Sequence, residues 1–364
     1  MVILSGPTAV GKTKLSIALA KAIGGEIISA DSCQVYRHMD IGSAKITEEE
    51  MQGIPHHMID ILEPWEDFSV AVFKEKCGQC LPGIYARGHI PIVTGGTGFY
   101  VQALLRDIDF GSGGEAASDP EHAPSVTDCP PEPATGSPSL EDDASASAVP
   151  DGFLAESINI VPRGTRSESV GTVLGDALTK SANMVPGACT ENGPYRAWLE
   201  ELANQKGPQH LHNMLREIDP ASAEAIHPNN RKRVIRALEF FHLTGEPISR
   251  HNEREREKEP AYNACYFVLN DSRERIYENI GKRVDEMLRQ GLVAEVERLR
   301  EMGCQRGMIS MQGLGYKEIL AYLEGEASLE EAVETIKRDT RHFAKRQLTW
   351  FRREKDVIWV EREK

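Results

Sequence analysis

Apolar residues follow two rhythms along this chain. Short unbroken runs, MVILS at 1–5, GEIIS at 25–29 and HIPIV at 89–93, each lead into glycine or small polar residues. Runs that short and continuous read as strands covered on both faces. Between them the spacing lengthens. In KTKLSIALAKAI, Ile17, Leu19 with Ala20, and Ile23 fall on one helical stripe, and FSVAVFKEKCGQCLPGIYARG reads as a second helix. Strand, helix, strand at these lengths predicts a parallel sheet flanked by helices.

The pattern continues after a break. FYVQALLRDI reads as a helix following the glycines at 95–98. Residues 192–261 are helical, interrupted at KGP, IDP and IHPNN, and ACYFVLN is a strand. Ile276, Ile280, Val284, Leu288, Leu292, Val296 and Leu299 keep helical spacing, which predicts one long helix. YKEILAYLEG, a long helix through RQLTWFRR and a short strand DVIWV close the chain. The expected organisation is an α/β core from 1–110 and 262–364, with a helical subdomain at 192–261. Residues 111–191 are rich in Gly, Ser, Pro, Ala and acid. Such a stretch buries too little surface to offset its ordering entropy, so it reads as a disordered insertion.

Composition changes the picture in one respect. The chain has 364 residues, 40% of them apolar, and a net charge of −14, which seems to disfavour a polyanionic partner. Residues 111–191, with 13 acidic and 3 basic residues, account for −10 of that charge and leave −4 elsewhere. Lys337 to Lys355 hold 8 basic and 2 acidic residues. Local fields decide phosphate binding. No run approaches the ~18 apolar residues of a membrane span, and the start lacks signal-peptide character, so the expected compartment is the cytosol. Nothing demands more than a monomer. The seven Cys are scattered; CGQC at 77–80 reads as free thiols on a helix, with a metal or redox site the alternative.

The chemistry begins at GPTAVGKT. Gly6, Pro7, Thr8, Ala9, Val10, Gly11, Lys12 and Thr13 fit G-x-x-x-x-G-K-[ST] between a strand and a helix. Backbone N–H groups and the helix N-terminus cradle an anion, Lys12 adds a point charge, and Thr13 can hold Mg²⁺. Nucleotides such as ATP bind such loops. Asp31 follows the second strand and Thr97 the third, so both should approach the loop at the carboxyl ends of the strands. Asp31 can cap a turn, bind metal or act as a base. Where many hydrolytic proteins place an Asp, this strand ends in TGGTG, which suits a diphosphate held as a leaving group. Arg231, Lys232, Arg233 and Arg236 cluster at a helix start, suited to a polyanion or to a solvated face. From these residues alone a transferase with a diphosphate leaving group, a small-molecule kinase and a non-catalytic nucleotide- or RNA-binding module all stand.

The motifs as a series resemble one family. GPTAVGKT, SADSCQVYRHMDIGSAK, IPHHMID, PIVTGGTGFY, IHPNNRKRVIRALE, TGEPIS, SMQGLGYKE and AKRQLTWFRR follow the order found in bacterial tRNA dimethylallyltransferases, also called tRNA isopentenyltransferases. The resemblance spans nearly all the chain outside 111–191. It implies a P-loop-type α/β fold with a helical tRNA-binding insertion. It implies transfer of a dimethylallyl group from dimethylallyl diphosphate, with Mg²⁺, to N6 of the adenosine 3′ of the anticodon in tRNA. It makes Asp31 the base and places Thr97 at the transfer site. The diphosphate falls on Thr8 to Thr13, steadied by Arg283. Contacts to the anticodon stem-loop fall on Asp31, Ser32, Cys33, Gln34, Thr97, Arg196, Lys232, Arg233, Val234, Ile235 and Arg236. The departure is 111–191, where the family has only a short connection.

Overall fold

The protein is described here by a computed structural model covering residues 1–110 and 193–361. The insertion read at 111–191 lies outside the described residues. Six strands form one parallel sheet: β1 Val2–Ser5, β2 Gly25–Ser29, β3 His56–His57, β4 Ile90–Gly95, β5 Cys265–Asn270 and β6 Ile358–Glu361. Their spatial order is β3-β2-β4-β1-β5-β6. The doubly covered sheet explains the unbroken apolar runs: Ile3, Ile27, Ile28, Ile92 and Val93 are at most 1% exposed.

Helices α1 Lys12–Ile23, α2 Glu48–Met51, α3 Val70–Ala86 and α4 Gly98–Leu105 lie in the first part of the chain. The chain then builds α5 Gly193–Lys206, α6 Pro208–Ile218, α7 Pro220–Ala225, α8 Arg231–Thr244 and α9 Ile248–Glu257 before returning to the sheet at β5. Helices α5 to α8 bury a core of their own around Leu199, Leu211, Leu215, Val234, Ile235 and Leu238. The α9 end ties this unit back: Glu255 Oε2 accepts from Asp109 N–H at 3.0 Å, and His251 Nε2 meets Asp109 O at 2.9 Å.

The helical spacing read from Ile276 to Leu299 runs over two helices, α10 Arg273–Gln290 and α11 Leu292–Glu301. Gly291 separates them at φ 101°, a left-handed conformation that glycine adopts without penalty. The apolar stripe survives the break because Leu292, Val296 and Leu299 still face the main core. Helices α12 Tyr316–Leu323 and α13 Leu329–Phe351 follow. A buried carboxylate locks the segment after Asp31 to this half. Glu295 accepts from the N–H groups of Asp40, Ile41 and Gly42 at 2.8–3.0 Å and from the Tyr316 hydroxyl at 2.8 Å. No helix among the described residues is long and apolar enough to cross a membrane. Cys77 and Cys80 lie on α3, and burial raises both thiols above the ordinary range.

Candidate active site

The order β2-β4-β1 decides the site. Ser29 is level with Thr94, and Ser5 with Gly95. The segment after β4 therefore lies between the segments after β2 and β1. The strand order thus puts the turn that carries Thr97 between the turn that carries Asp31 and the phosphate loop.

The loop turns sharply after β1. A Cβ on Gly6 would stand 2.5 Å from the carbonyl oxygen of Leu269 on β5, so a side chain there would displace the central strand's neighbour. Lys12 folds across the loop and donates to the carbonyls of Gly6 at 2.9 Å and Pro7 at 2.8 Å. Its pKa is lowered to about 7, by burial first and by nearby Arg283, with Asp31 opposing. Arg283, reaching in from α10, donates to the Thr8 hydroxyl at 3.3 Å. Burial lowers its pKa, with Asp31 opposing. Two basic groups are thus desolvated near one another at the loop.

That arrangement carries a prediction. An entering diphosphate raises the pKa of Lys12, so binding above about pH 7 takes up a proton and weakens as pH rises. Calorimetry of inorganic diphosphate in buffers of different ionisation enthalpy reads the uptake. It grows from pH 7 to 8.5 in the wild type, and in Lys12→Ala the Lys12 share is lost and only the titration of diphosphate itself remains.

Asp31 is half-buried and lines a cleft with Lys12, Thr13, Ser29, Gln34, His56 and Thr94. Its Oδ1 accepts from Cys33 N–H at 2.8 Å and Gln34 N–H at 3.3 Å. Capping the turn through Oδ1 leaves Oδ2 without a hydrogen bond from a described residue. Ser32 and Cys33 form the turn that Asp31 holds, and the Gln34 amide donates to Ala44 O at 3.4 Å. Thr97 is 5% exposed and heads α4 without a side-chain cap bond.

Close approach explains the glycines around Thr97. A Cβ on Gly95 would lie 2.1 Å from Ala30 O, one on Gly96 2.1 Å from Gln347 Nε2, and one on Gly98 2.3 Å from the Trp350 ring. The turn is thus sandwiched between the end of β2 and helix α13. Gln347 joins the two loops: its Oε1 accepts from Thr8 N–H at 2.8 Å and its Nε2 donates to Gly96 O at 3.0 Å. Sequence reasoning missed this residue. The available signal was an amide at a position where the stripe Ala344, Phe351 calls for an apolar side chain. It also missed His56, which lines the cleft and whose pKa burial lowers.

The helical unit corrects part of the basic stretch. Lys232 and Arg233 are exposed, but Val234 and Ile235 are 0% and 3% exposed inside the core of α5 to α8. Helical periodicity turns them away from solvent, so their side chains do not face a nucleic acid. Arg236 is partly buried, 6.0 Å from the Phe240 ring centroid. Arg196 donates to buried Glu239 at 2.9 Å and to Glu200 at 3.3 Å. Glu239 in turn is raised by burial, with Arg196 and Arg236 opposing.

A central strand opening into a phosphate loop, with a threonine after the neighbouring strand and an acid after the strand beyond it, defines a P-loop α/β protein. The chain belongs to the IPP transferase family, whose model matches residues 34–132 and 174–354, and an isopentenyl transferase model matches residues 1–61. Residues 133–173, within the 111–191 stretch, fall between the matched parts. A tRNA dimethylallyltransferase of Lachnoclostridium phytofermentans is 51% identical over 360 residues, 99% of this chain and 91% of that protein. One from Acetivibrio thermocellus is 42% identical over 363 residues, 100% of this chain and 92% of that protein. The crystal structure of the full-length tRNA isopentenylpyrophosphate transferase of Bacillus halodurans superposes with a TM-score of 0.57. It is 38% identical and covers 99% of this chain and 89% of that one.

Proposed function

We propose that this protein is a tRNA prenyltransferase. It transfers a dimethylallyl group from dimethylallyl diphosphate to N6 of the adenosine 3′ of the anticodon, giving N6-dimethylallyladenosine and diphosphate. The observation that carries the site assignment is the meeting of three strand ends: a cationic cradle at one, a carboxylate with an open oxygen at another, and Thr97 between them. In the step, the C1–O bond of the donor breaks and a C1–N6 bond forms. Asp31 Oδ2 takes the amine proton as that bond develops. Lys12, Arg283 and the loop N–H groups hold the charge growing on diphosphate. Thr97 orients the amine.

Thr13 is exposed at the head of α1 and lines the cleft with Asp31, and a hydroxyl beside phosphate oxygens is a hard donor set that suits Mg²⁺. When bound, the ion adds charge neutralisation at the leaving group. The target base must leave its stack to reach the cleft. Lys232, Arg233, Arg236 and Arg196 on the helical unit serve the stem phosphates, with Ser32, Cys33 and Gln34 nearer the base. The reading implies the cytoplasm, where tRNA is available, and a monomer that binds one anticodon stem-loop.

Ligand preference tests it. Dimethylallyl diphosphate with Mg²⁺ should raise the melting temperature, by a ligand stabilisation of about 2.7 kcal/mol at a hundred times its dissociation constant, and ATP at the same concentration should do less. Stronger protection by ATP would favour phosphoryl transfer.

A further inference from the structure

Gln347 is 6% exposed on α13, near Ala344 and Phe351, which are 1% and 0% exposed. A buried amide costs free energy unless both its ends are paired. Here both are, and each partner belongs to a functional loop. Thr8 lies in the phosphate loop, and Gly96 immediately precedes Thr97. Strand pairing between β1 and β4 ends at Ser5 with Gly95, so the ladder stops just where these loops begin. An amide 339 residues from Thr8 and 251 from Gly96 supplies the next tie. Gly96 admits it, since any Cβ there would collide with Nε2. Thr8 is gripped twice: Gln347 takes its N–H, and Arg283 donates to its hydroxyl.

The geometry points to Gln347 as a positioning residue for prenyl transfer, which fixes the diphosphate cradle against the Thr97 turn and so sets the distance between leaving group and amine. This rests on the function proposed above. The role needs an acceptor toward Thr8 and a donor toward Gly96 on one side chain. Methionine fills the space but leaves one N–H and one carbonyl unpaired. Misplacement of the two loops costs the transfer step more than binding of the donor alone.

Two variants test it beside the wild type. Gln347→Met is expected to lower kcat about 30-fold, with KM for dimethylallyl diphosphate changed less than about threefold. Gln347→Glu carries a distinct signature. Ionised, it sets a carboxylate against the Gly96 carbonyl and beside the cradle. Protonated, its O–H donates to Gly96 while the other oxygen accepts from Thr8, the pattern of the native amide. Its affinity for inorganic diphosphate, expressed as a ratio to wild type at each pH so that the titration the two proteins share is divided out, should recover about tenfold from pH 8 to pH 6. Being isosteric, this variant keeps the test readable if Gln347→Met does not fold. A ratio that is flat with pH, or a folded Gln347→Met with kcat within about threefold of wild type, overturns the assignment. A wild type that binds diphosphate but transfers no prenyl group overturns the functional reading instead, and the pH ratio still decides the role of Gln347.

Discussion

Asp31→Asn is expected to lower prenyl transfer to tRNA about 10³-fold while leaving donor affinity within about threefold. The asparagine oxygen can still accept from Cys33 and Gln34 N–H, so the turn that Asp31 holds through Oδ1 is retained. What is lost is the proton acceptor at Oδ2. Asp31→Ala removes both functions and should add a loss of thermal stability of about 1 kcal/mol from the unpaired turn. Steady-state kinetics and a melting curve on both variants separate the two roles. Equal activity loss with equal destabilisation in both would reduce Asp31 to a structural cap. An Asp31→Asn that keeps wild-type kcat would remove it from the chemistry.

Arg283→Ala is expected to cost about 10²–10³ in kcat. The guanidinium meets the phosphate loop through Thr8 and stands near enough to Lys12 to depress its pKa. Alanine therefore has two consequences of opposite sign. The leaving diphosphate loses a cation, which slows departure. Lys12 loses a repulsive neighbour, so its pKa moves up from about 7, and its charged form persists to higher pH. The falling affinity for diphosphate with rising pH should thus shift to higher pH in Arg283→Ala, even as kcat collapses. Arg283→Lys restores charge without the planar fork and should recover only part of the rate. A kcat unchanged in Arg283→Ala would show that the cradle stabilises the leaving group without it.

Sequence pattern revealed the sheet and the three strand ends because those depend on local signals: an apolar run, then glycines, then a helical stripe. Asp31 and Thr97 could be placed near GPTAVGKT from topology alone. Three things escaped for identifiable reasons. The split at Gly291 was hidden because α11 resumes the apolar stripe of α10, so periodicity carries no trace of the bend. The basic stretch 232–236 reads as continuous in the sequence, whereas the helix turn sends Val234 and Ile235 inward and leaves Lys232 and Arg233 outside. Gln347 depends on contacts 339 and 251 residues distant, and no local pattern encodes partners so remote. The glycine turn at 95–98 was legible as a turn, but its cause was not. Its glycines answer to Ala30, Gln347 and Trp350 pressing on the backbone.

The most direct measurement is transfer itself. Purified protein, Mg²⁺, dimethylallyl diphosphate labelled in the prenyl group and an unmodified tRNA with adenosine 3′ of the anticodon are incubated, and the digested nucleosides are resolved by mass. Labelled N6-dimethylallyladenosine is expected, with one diphosphate released per nucleoside formed and without added ATP. Absence of labelled nucleoside under saturating donor, from protein that binds diphosphate, would contradict it.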